Sequence, residues 1–247
     1  MELRIRAAGL HIRLRGSSDA LGELCRGYVT EEDGEPDICA DISPAMLEPL
    51  AERVLAQEGY APSPGELETM AALELVAEAA LERDILLMHG AAVAVADEAY
   101  LFIAPSGTGK STHVKLWLDA LPDAYVVNGD KPLLRVGDGE TLVCGTPWCG
   151  KEHWSTNTMA PLRAIIIMER AEENRMEPLR PADAFPDLLR QSYRGSSGDA
   201  LRKTLDLLKK LGSGVAFYRF RFDNFREDAF SVAYAALHEH NTPKTED

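Results

Sequence analysis

Leu3 and Ile5, then Leu10, Ile12 and Leu14, alternate with charged or polar neighbours at the start of the chain. A period of two belongs to a strand with one buried face, so the pattern predicts a hairpin turning at Ala7-Ala8-Gly9. After an acidic loop, Glu31–Pro36, the pair Ser43-Pro44 predicts a helix N-cap followed by proline at the first helical position, with the helix running to about Gln57. Ala61-Pro62-Ser63-Pro64-Gly65 has the composition of a linker. It divides the chain into a small N-terminal α+β lobe, 1–62, and a larger domain, 63–240, with a polar tail over 241–247. From Glu66 to about Arg83, Leu67, Met70, Leu73, Val76, Ala77 and Leu81 fall at helical spacing and predict a long helix packed on a core.

The texture then changes to short apolar runs. Ile85–Met88, Ala92–Val95, Tyr100–Ala104 and Tyr125–Asn128 read as strands, and Leu133–Val136 with Leu142–Gly145 as a hairpin about Gly137-Asp138-Gly139. Arg163–Glu169, containing Ile165-Ile166-Ile167, has the continuous apolar character of a central strand. Helical patterns appear at Lys110–Leu121, Ala182–Ser192 and Ser197–Leu211, with a strand at Val215–Phe220. Asn224 with Glu227 resembles a capping box opening a last helix, Arg226–His240. Alternating strands and helices make the chain α/β.

Composition narrows the function classes. The chain has 247 residues, of which 45% are hydrophobic, enough to bury a full core and to exclude wholesale disorder. Against 26 Lys and Arg stand 40 Asp and Glu, a formal net charge of −14. That balance disfavours nucleic acid or an anionic membrane as the main partner. No run approaches the length of a membrane span, and Met1–Arg6 carries charges where a signal peptide needs an apolar stretch. The four cysteines form no Cys-x-x-Cys pair, so free thiols and a cytoplasmic location are expected.

Local chemistry concentrates at Ala104–Thr112, Ala-Pro-Ser-Gly-Thr-Gly-Lys-Ser-Thr, between a predicted strand and a predicted helix. This is the context of a phosphate-binding loop. Gly107 and Gly109 let the backbone curl so that successive N–H groups face one anion, and the helix N-terminus adds partial positive charge. Ser106, Gly107, Thr108, Gly109, Lys110, Ser111 and Thr112 are the expected nucleotide contacts. Lys110 would reach the terminal phosphates and the Ser111 hydroxyl would ligate Mg²⁺. Ala104 departs from the common pattern, which has its first glycine there.

Asn128-Gly129-Asp130-Lys131-Pro132 comes at the end of the next strand, Tyr125–Asn128, where nucleoside triphosphatases keep a carboxylate for Mg²⁺. The bland alternative is a plain turn, since Asn-Gly-Asp is good turn chemistry. His89-Gly90 precedes the strand that leads toward the loop, and such a histidine is either structural or part of the reaction centre. Cys144–Trp154 contains two tryptophans, Lys151 and His153 in a Gly- and Pro-punctuated stretch. It reads as a closing loop that offers Trp148 and Lys151 to substrate, the alternative being that Trp148 and Trp154 plug a core beside the strand Leu142–Gly145. Cys144, Cys149 and His153 as zinc ligands lack a fourth partner nearby.

Taken in order, His89–Val93, Tyr100–Thr112 and Asn128–Pro132 resemble the catalytic domain of HPr kinase/phosphorylase and its relatives, a group allied to ATP-dependent phosphoenolpyruvate carboxykinase. Ser106–His113 with Lys115-Leu116-Trp117, Gly145–Lys151 and Pro161-Leu162 resemble more particularly a bacterial branch associated with peptide-modifying systems. The resemblance spans roughly 85–236. It implies a P-loop core of the HPr kinase/phosphoenolpyruvate carboxykinase type, ATP or GTP with Mg²⁺, and phosphoryl transfer to a hydroxyl, often a serine of a peptide or protein, in a protein that can form oligomers. It also implies catalytic roles for Lys110, Asp130 and His89, with Asp130 as metal ligand or base beside Ser111. Gly129 stands where that family has the first of two aspartates. Hence the alternatives are a catalytically weak nucleotide-binding module that recognises a peptide or partner, or an ATPase driving one. Restoring an aspartate at 129 is expected to raise activity if the backbone there tolerates a side chain.

Overall fold

The computed structural model describes residues 1–238. Strands β1 (Glu2–Ala7) and β2 (Leu10–Arg15) form the expected hairpin, with Ala8 and Gly9 at positive φ in its turn. A short helix α1 (Asp19–Leu24) follows, capped by the Ser18 side chain. Next comes a four-residue strand β3 (Ile38–Asp41), which lies parallel to β2 and completes a three-stranded sheet. Neither α1 nor β3 was legible in the sequence pattern.

Helix α2 (Pro44–Glu58) begins at the proposed proline, although Ser43 makes no side-chain cap hydrogen bond. Helix α3 (Pro64–Leu81) starts two residues earlier than its periodicity indicated. The reason is local: the Ser63 hydroxyl accepts the Glu66 N–H while the Glu66 carboxylate accepts the Ser63 N–H, a complete capping box at the end of the linker. The apolar side of α3, through Ala72, Val76 and Ala80, packs in one cluster with Ile5, Ile12 and Leu14 of the small sheet. The same cluster includes Ile85, Leu133, Cys144 and Trp148 from the larger sheet.

That larger sheet has nine strands. They are β4 (Ile85–Leu87), β5 (Ala91–Val95), β6 (Glu98–Ile103), β7 (Tyr125–Asn128), β8 (Leu133–Val136), β9 (Thr141–Cys144), β10 (Met159–Arg170), β11 (Arg175–Pro178) and β12 (Ala216–Phe222). Helix α4 (Lys110–Ala120) follows β6, helices α5 (Pro181–Gln191) and α6 (Gly198–Gly214) precede β12, and α7 (Ala229–His238) comes last. The main strand order is β4-β8-β9-β10-β6-β5-β7, with β12 also paired to β10 and β11 to β12.

Strand β10 is longer than the apolar run predicted, because it serves two neighbours in turn. Met159–Pro161 pair antiparallel with β9, and from Leu162 onward the strand runs parallel to β6. Along β6 and β10 alternate residues face opposite layers, as a pleated sheet requires. Leu101, Ile103, Ile165 and Ile167 meet α5 and α6 through Leu188 and Leu207. Tyr100, Phe102, Ala164 and Ile166 meet α4 and α7 through Val114, Trp117 and Ala233.

Helix α7 corrects an expectation. It opens at Ala229, and the Asn224 side chain instead bonds the Gly109 carbonyl and His113. The predicted capping box is therefore not formed, because that amide is already engaged. The remainder of the expected last helix and the tail lie outside the described residues. Among the described residues no helix is long and apolar enough to cross a membrane.

Candidate active site

Strand direction brings the chemistry to one edge. Strands β6, β10 and β12 are mutually parallel through β10, so their carboxyl ends lie together. Strand β5 runs antiparallel to β6 and to β7. Its amino end, carrying His89-Gly90, therefore meets the carboxyl ends of β6 and β7, carrying the loop at Ala104 and the turn at Gly129-Asp130. In open α/β sheets this edge is where ligands bind.

The loop carries Gly107 at φ 73° and Gly109 at φ 119°, left-handed values that a side chain would strain. Its carbonyls are taken from outside. Arg170, at the end of β10, donates from Nε to the Thr108 carbonyl at 3.0 Å and from an Nη to the Gly107 carbonyl at 2.7 Å. Asn224, just after β12, donates to the Gly109 carbonyl at 2.9 Å. Lys110 is buried and donates to the Ala104 and Pro105 carbonyls at 2.9 and 3.3 Å. Burial pulls its ammonium below the usual lysine value, with the charge of Asp130 opposing that shift. The first turn of α4 adds the N–H groups that every helix N-terminus leaves without intrahelical partners.

Asn128 builds the facing turn. Fully buried, it donates from Nδ2 to the Thr146 carbonyl and hydroxyl at 3.0 Å each, while its Oδ1 accepts the N–H groups of Asp130 and Lys131 at 2.9 and 2.7 Å. This is an Asx turn locked from behind, and it fixes where Asp130 points. Oδ1 of Asp130 is 3.2 Å from Nε2 of His89, and its Oδ2 accepts from Lys131 Nζ at 2.6 Å. Burial by itself would raise the Asp130 pKa. The hydrogen bond from His89 and the charge of Lys131 outweigh it and hold the group at about 2. Asp130 is thus an anion across the physiological range.

Between loop and turn lies a cavity of about 520 Å³, within the usual range for small-molecule sites. Ser106, Gly107, Gly109, Lys110, Ser111 and Thr112 line one side, and His89, Gly129 and Asp130 line another. Lys151 lies on its wall as well. Thr108 instead faces a smaller adjoining cavity, and its hydroxyl donates to the Pro105 carbonyl at 2.8 Å. The cavity wall also includes Glu152 and Arg170, which the sequence did not single out, while Lys131 touches the site through Asp130. Arg170 ends the strongest apolar run of the chain, a signal that could have found it; Glu152 had none.

Trp148 is a correction. Expected at the substrate, it is only 8% exposed, belongs to the cluster shared with α3, and donates from Nε1 to the Thr69 carbonyl at 2.8 Å. Its indole needs a buried acceptor, and the carbonyl of α3 supplies one. The stretch Gly145–Trp154 is accordingly clamped to the Asp130 turn, with Gly129 N–H donating to the Trp154 carbonyl at 2.8 Å and the Thr146 hydroxyl to the Lys131 carbonyl at 2.8 Å. The stretch is thus held at both ends against that turn. The zinc alternative also falls away: among the described residues no group of three or more His, Cys, Asp or Glu is placed to hold a metal ion. Burial pushes the Cys144 thiol up to about 12.

No family model matches the chain, and no curated protein sequence matches it. Among solved structures, the Hpr(Ser) kinase/phosphatase from Coxiella burnetii is similar over 62% of this chain and 90% of that chain, at 10% identity and a TM-score of 0.38.

Proposed function

We propose that this protein is a phosphotransferase that moves the γ-phosphoryl group of a nucleoside triphosphate to a hydroxyl, most naturally a serine of a peptide or protein. One observation carries the reading. Lys110 and Ser111 at a helix N-terminus share a single cavity with Asp130 and His89 from two neighbouring strand ends. The polyphosphate lies along the loop, where the N–H groups and Lys110 meet its charge.

The donors present suit Mg²⁺, since a hydroxyl at Ser111 and a carboxylate at Asp130 are hard oxygen ligands lining the same cavity. When bound there, the ion would offset charge on the phosphate oxygens. Asp130, kept ionised at about 2, is a poor proton acceptor and serves to hold and orient. His89 and Lys131 fix its two oxygens. Glu152, the other carboxylate on the wall, takes the proton of the attacking hydroxyl. The new bond joins the hydroxyl oxygen to the γ-phosphorus, and the bond from that phosphorus to the bridging oxygen breaks, leaving a nucleoside diphosphate. Lys151 and Arg170 supply positive charge at the cavity mouth.

The packing at Gly129 favours a second reading, a binding module that recognises a partner without transfer, because it leaves no room for a second strand-end carboxylate. Incubation with γ-labelled ATP, Mg²⁺ and hydroxyl acceptors separates the two. Label on an acceptor supports transfer, and retained ATP with no labelled acceptor supports the binding module.

A further inference from the structure

A second cavity adjoins the phosphate site. It measures about 190 Å³ and shares Gly109, Thr112 and Arg170 with the larger one, so the two lie side by side along the loop. Its remaining wall comes from Thr108, from Ala171 after β10, and from Phe222–Phe225 at the end of β12. It thus occupies the carboxyl ends of all three parallel strands, away from Asp130.

The chemistry of this wall differs from that of its neighbour. Phe222 forms an apolar floor at 2% exposure, stacked on Phe220 with centroids 5.5 Å apart. Phe225 is 95% exposed, the most exposed large apolar side chain among the described residues. Its backbone is nevertheless held, because its N–H donates to Asp223 Oδ1 at 2.9 Å. The turn is held in its own right, since the Asp223 N–H donates to Asn174 Oδ1 at 2.7 Å. An aromatic ring fixed at its base and bare on its faces offers a stacking surface to a planar ligand. The Asp223 carboxylate beside it is an acceptor of the kind sugar hydroxyls need.

The floor is rigid for a separate reason. Trp117 Nε1–H can only donate, so His113 Nε2 accepts it at 3.2 Å and carries no proton. The proton is then on His113 Nδ1, which donates to Asn224 Oδ1 at 3.0 Å, while Asn224 Nδ2 donates to the Gly109 carbonyl. This buried chain ties the cavity wall to the phosphate loop. It engages both ends of the Asn224 amide, and the aromatic pair and Asp223 share the rest of the wall with Thr108, Thr112 and Arg170.

We infer that this cavity is the nucleoside subsite, taking the heterocycle of the bound triphosphate against Phe225 and its sugar near Asp223. The inference rests on the phosphate-loop reading, and its test separates the two. Calorimetry would compare Mg·ATP with inorganic tripolyphosphate on the wild type, on Phe225→Ala and on Lys110→Ala. Phe225 is almost wholly exposed, so its truncation should leave the melting temperature unchanged. Phe225→Ala is expected to weaken ATP roughly five- to a hundredfold, the range for losing one base–aromatic stack, with tripolyphosphate affinity unchanged. Lys110→Ala should weaken both ligands. Unchanged ATP affinity in Phe225→Ala, or an equal loss for both ligands, overturns the subsite while leaving the phosphate loop intact. A wild type that binds neither ligand overturns the phosphate-loop reading and this inference with it.

Discussion

A Cβ added to Gly129 would sit 2.8 Å from the carbonyl oxygen of Cys149. The Trp154 carbonyl would be 3.3 Å away on the same side, and the Gly129 N–H is already committed to it. Both neighbours are backbone, which cannot swing aside as a side chain would. The glycine is therefore required by the wall Gly145–Trp154 pressing on the Asp130 turn, and the hope of rebuilding an Asp-Asp pair at 129–130 fails on sterics.

Gly129→Ala is accordingly expected to destabilise the fold by about 1–3 kcal/mol, the usual cost of overpacking a tight site. Gly129→Asp should cost at least as much and should not raise transfer. Urea denaturation with an activity assay checks both, and a stable, more active Gly129→Asp would refute the packing argument.

Lys110→Ala removes the buried cation of the loop. A hydrogen bond to a charged group contributes about 1.5–3 kcal/mol, so triphosphate affinity should drop by at least tenfold. Calorimetry reads this directly, and unchanged affinity would sink the assignment of Ala104–Thr112 to phosphate.

His113 predicts a pH dependence of stability. Burial lowers its pKa from 6.5 to about 4, with the hydrogen bond to Asn224 opposing. A proton on Nε2 would face the Trp117 N–H, donor against donor. The unfolded chain therefore binds this proton at higher pH than the folded one. Stability is full above pH 6.5 and is lost as pH falls toward 4, by about 3 kcal/mol at 1.4 per unit. Asp130, with a folded value of about 2 against 3.8, loses its contribution as pH falls from about 3.8 to about 2, below that window. Chemical denaturation of wild type and His113→Gln between pH 4 and 7 tests this. Equal slopes for the two would contradict it.

Trp148 and Lys151 should behave oppositely on truncation. Trp148→Ala opens a cavity in the cluster shared with α3 and removes the indole hydrogen bond to the Thr69 carbonyl, so a loss of about 3–5 kcal/mol is expected. Lys151→Ala touches an exposed side chain and should leave melting unchanged while lowering transfer. A stable Trp148→Ala with lost transfer would instead place that tryptophan at the substrate.

These contrasts follow what a sequence can carry. The loop was legible because Gly107, Gly109, Lys110 and Ser111 act through fixed short spacing, and Asp130 and His89 because strand ends are recognisable from their apolar runs. The places of Trp148, Glu152 and Asn224 were not legible, because their surroundings come from segments whose register no local pattern states. Asn224 shows the limit most plainly. Its local sequence fits a cap, yet His113 and the Gly109 carbonyl, 111 and 115 residues distant, claim its side chain. The short strand β3 was missed for a related reason, since four residues beside an acidic loop carry too little periodicity to register.

The proposed phosphoryl transfer in this cavity depends on Asp130. The most direct measurement follows label from γ-labelled ATP onto a library of serine-containing peptides, comparing the wild type with Asp130→Asn, with ATP binding measured in parallel. Label is expected on serine with the wild type and at least a hundredfold less with Asp130→Asn, the scale for losing a principal electrostatic contact in a transition state, while ATP still binds both proteins. Full transfer by Asp130→Asn, or a wild type that binds ATP and labels no hydroxyl, would contradict it.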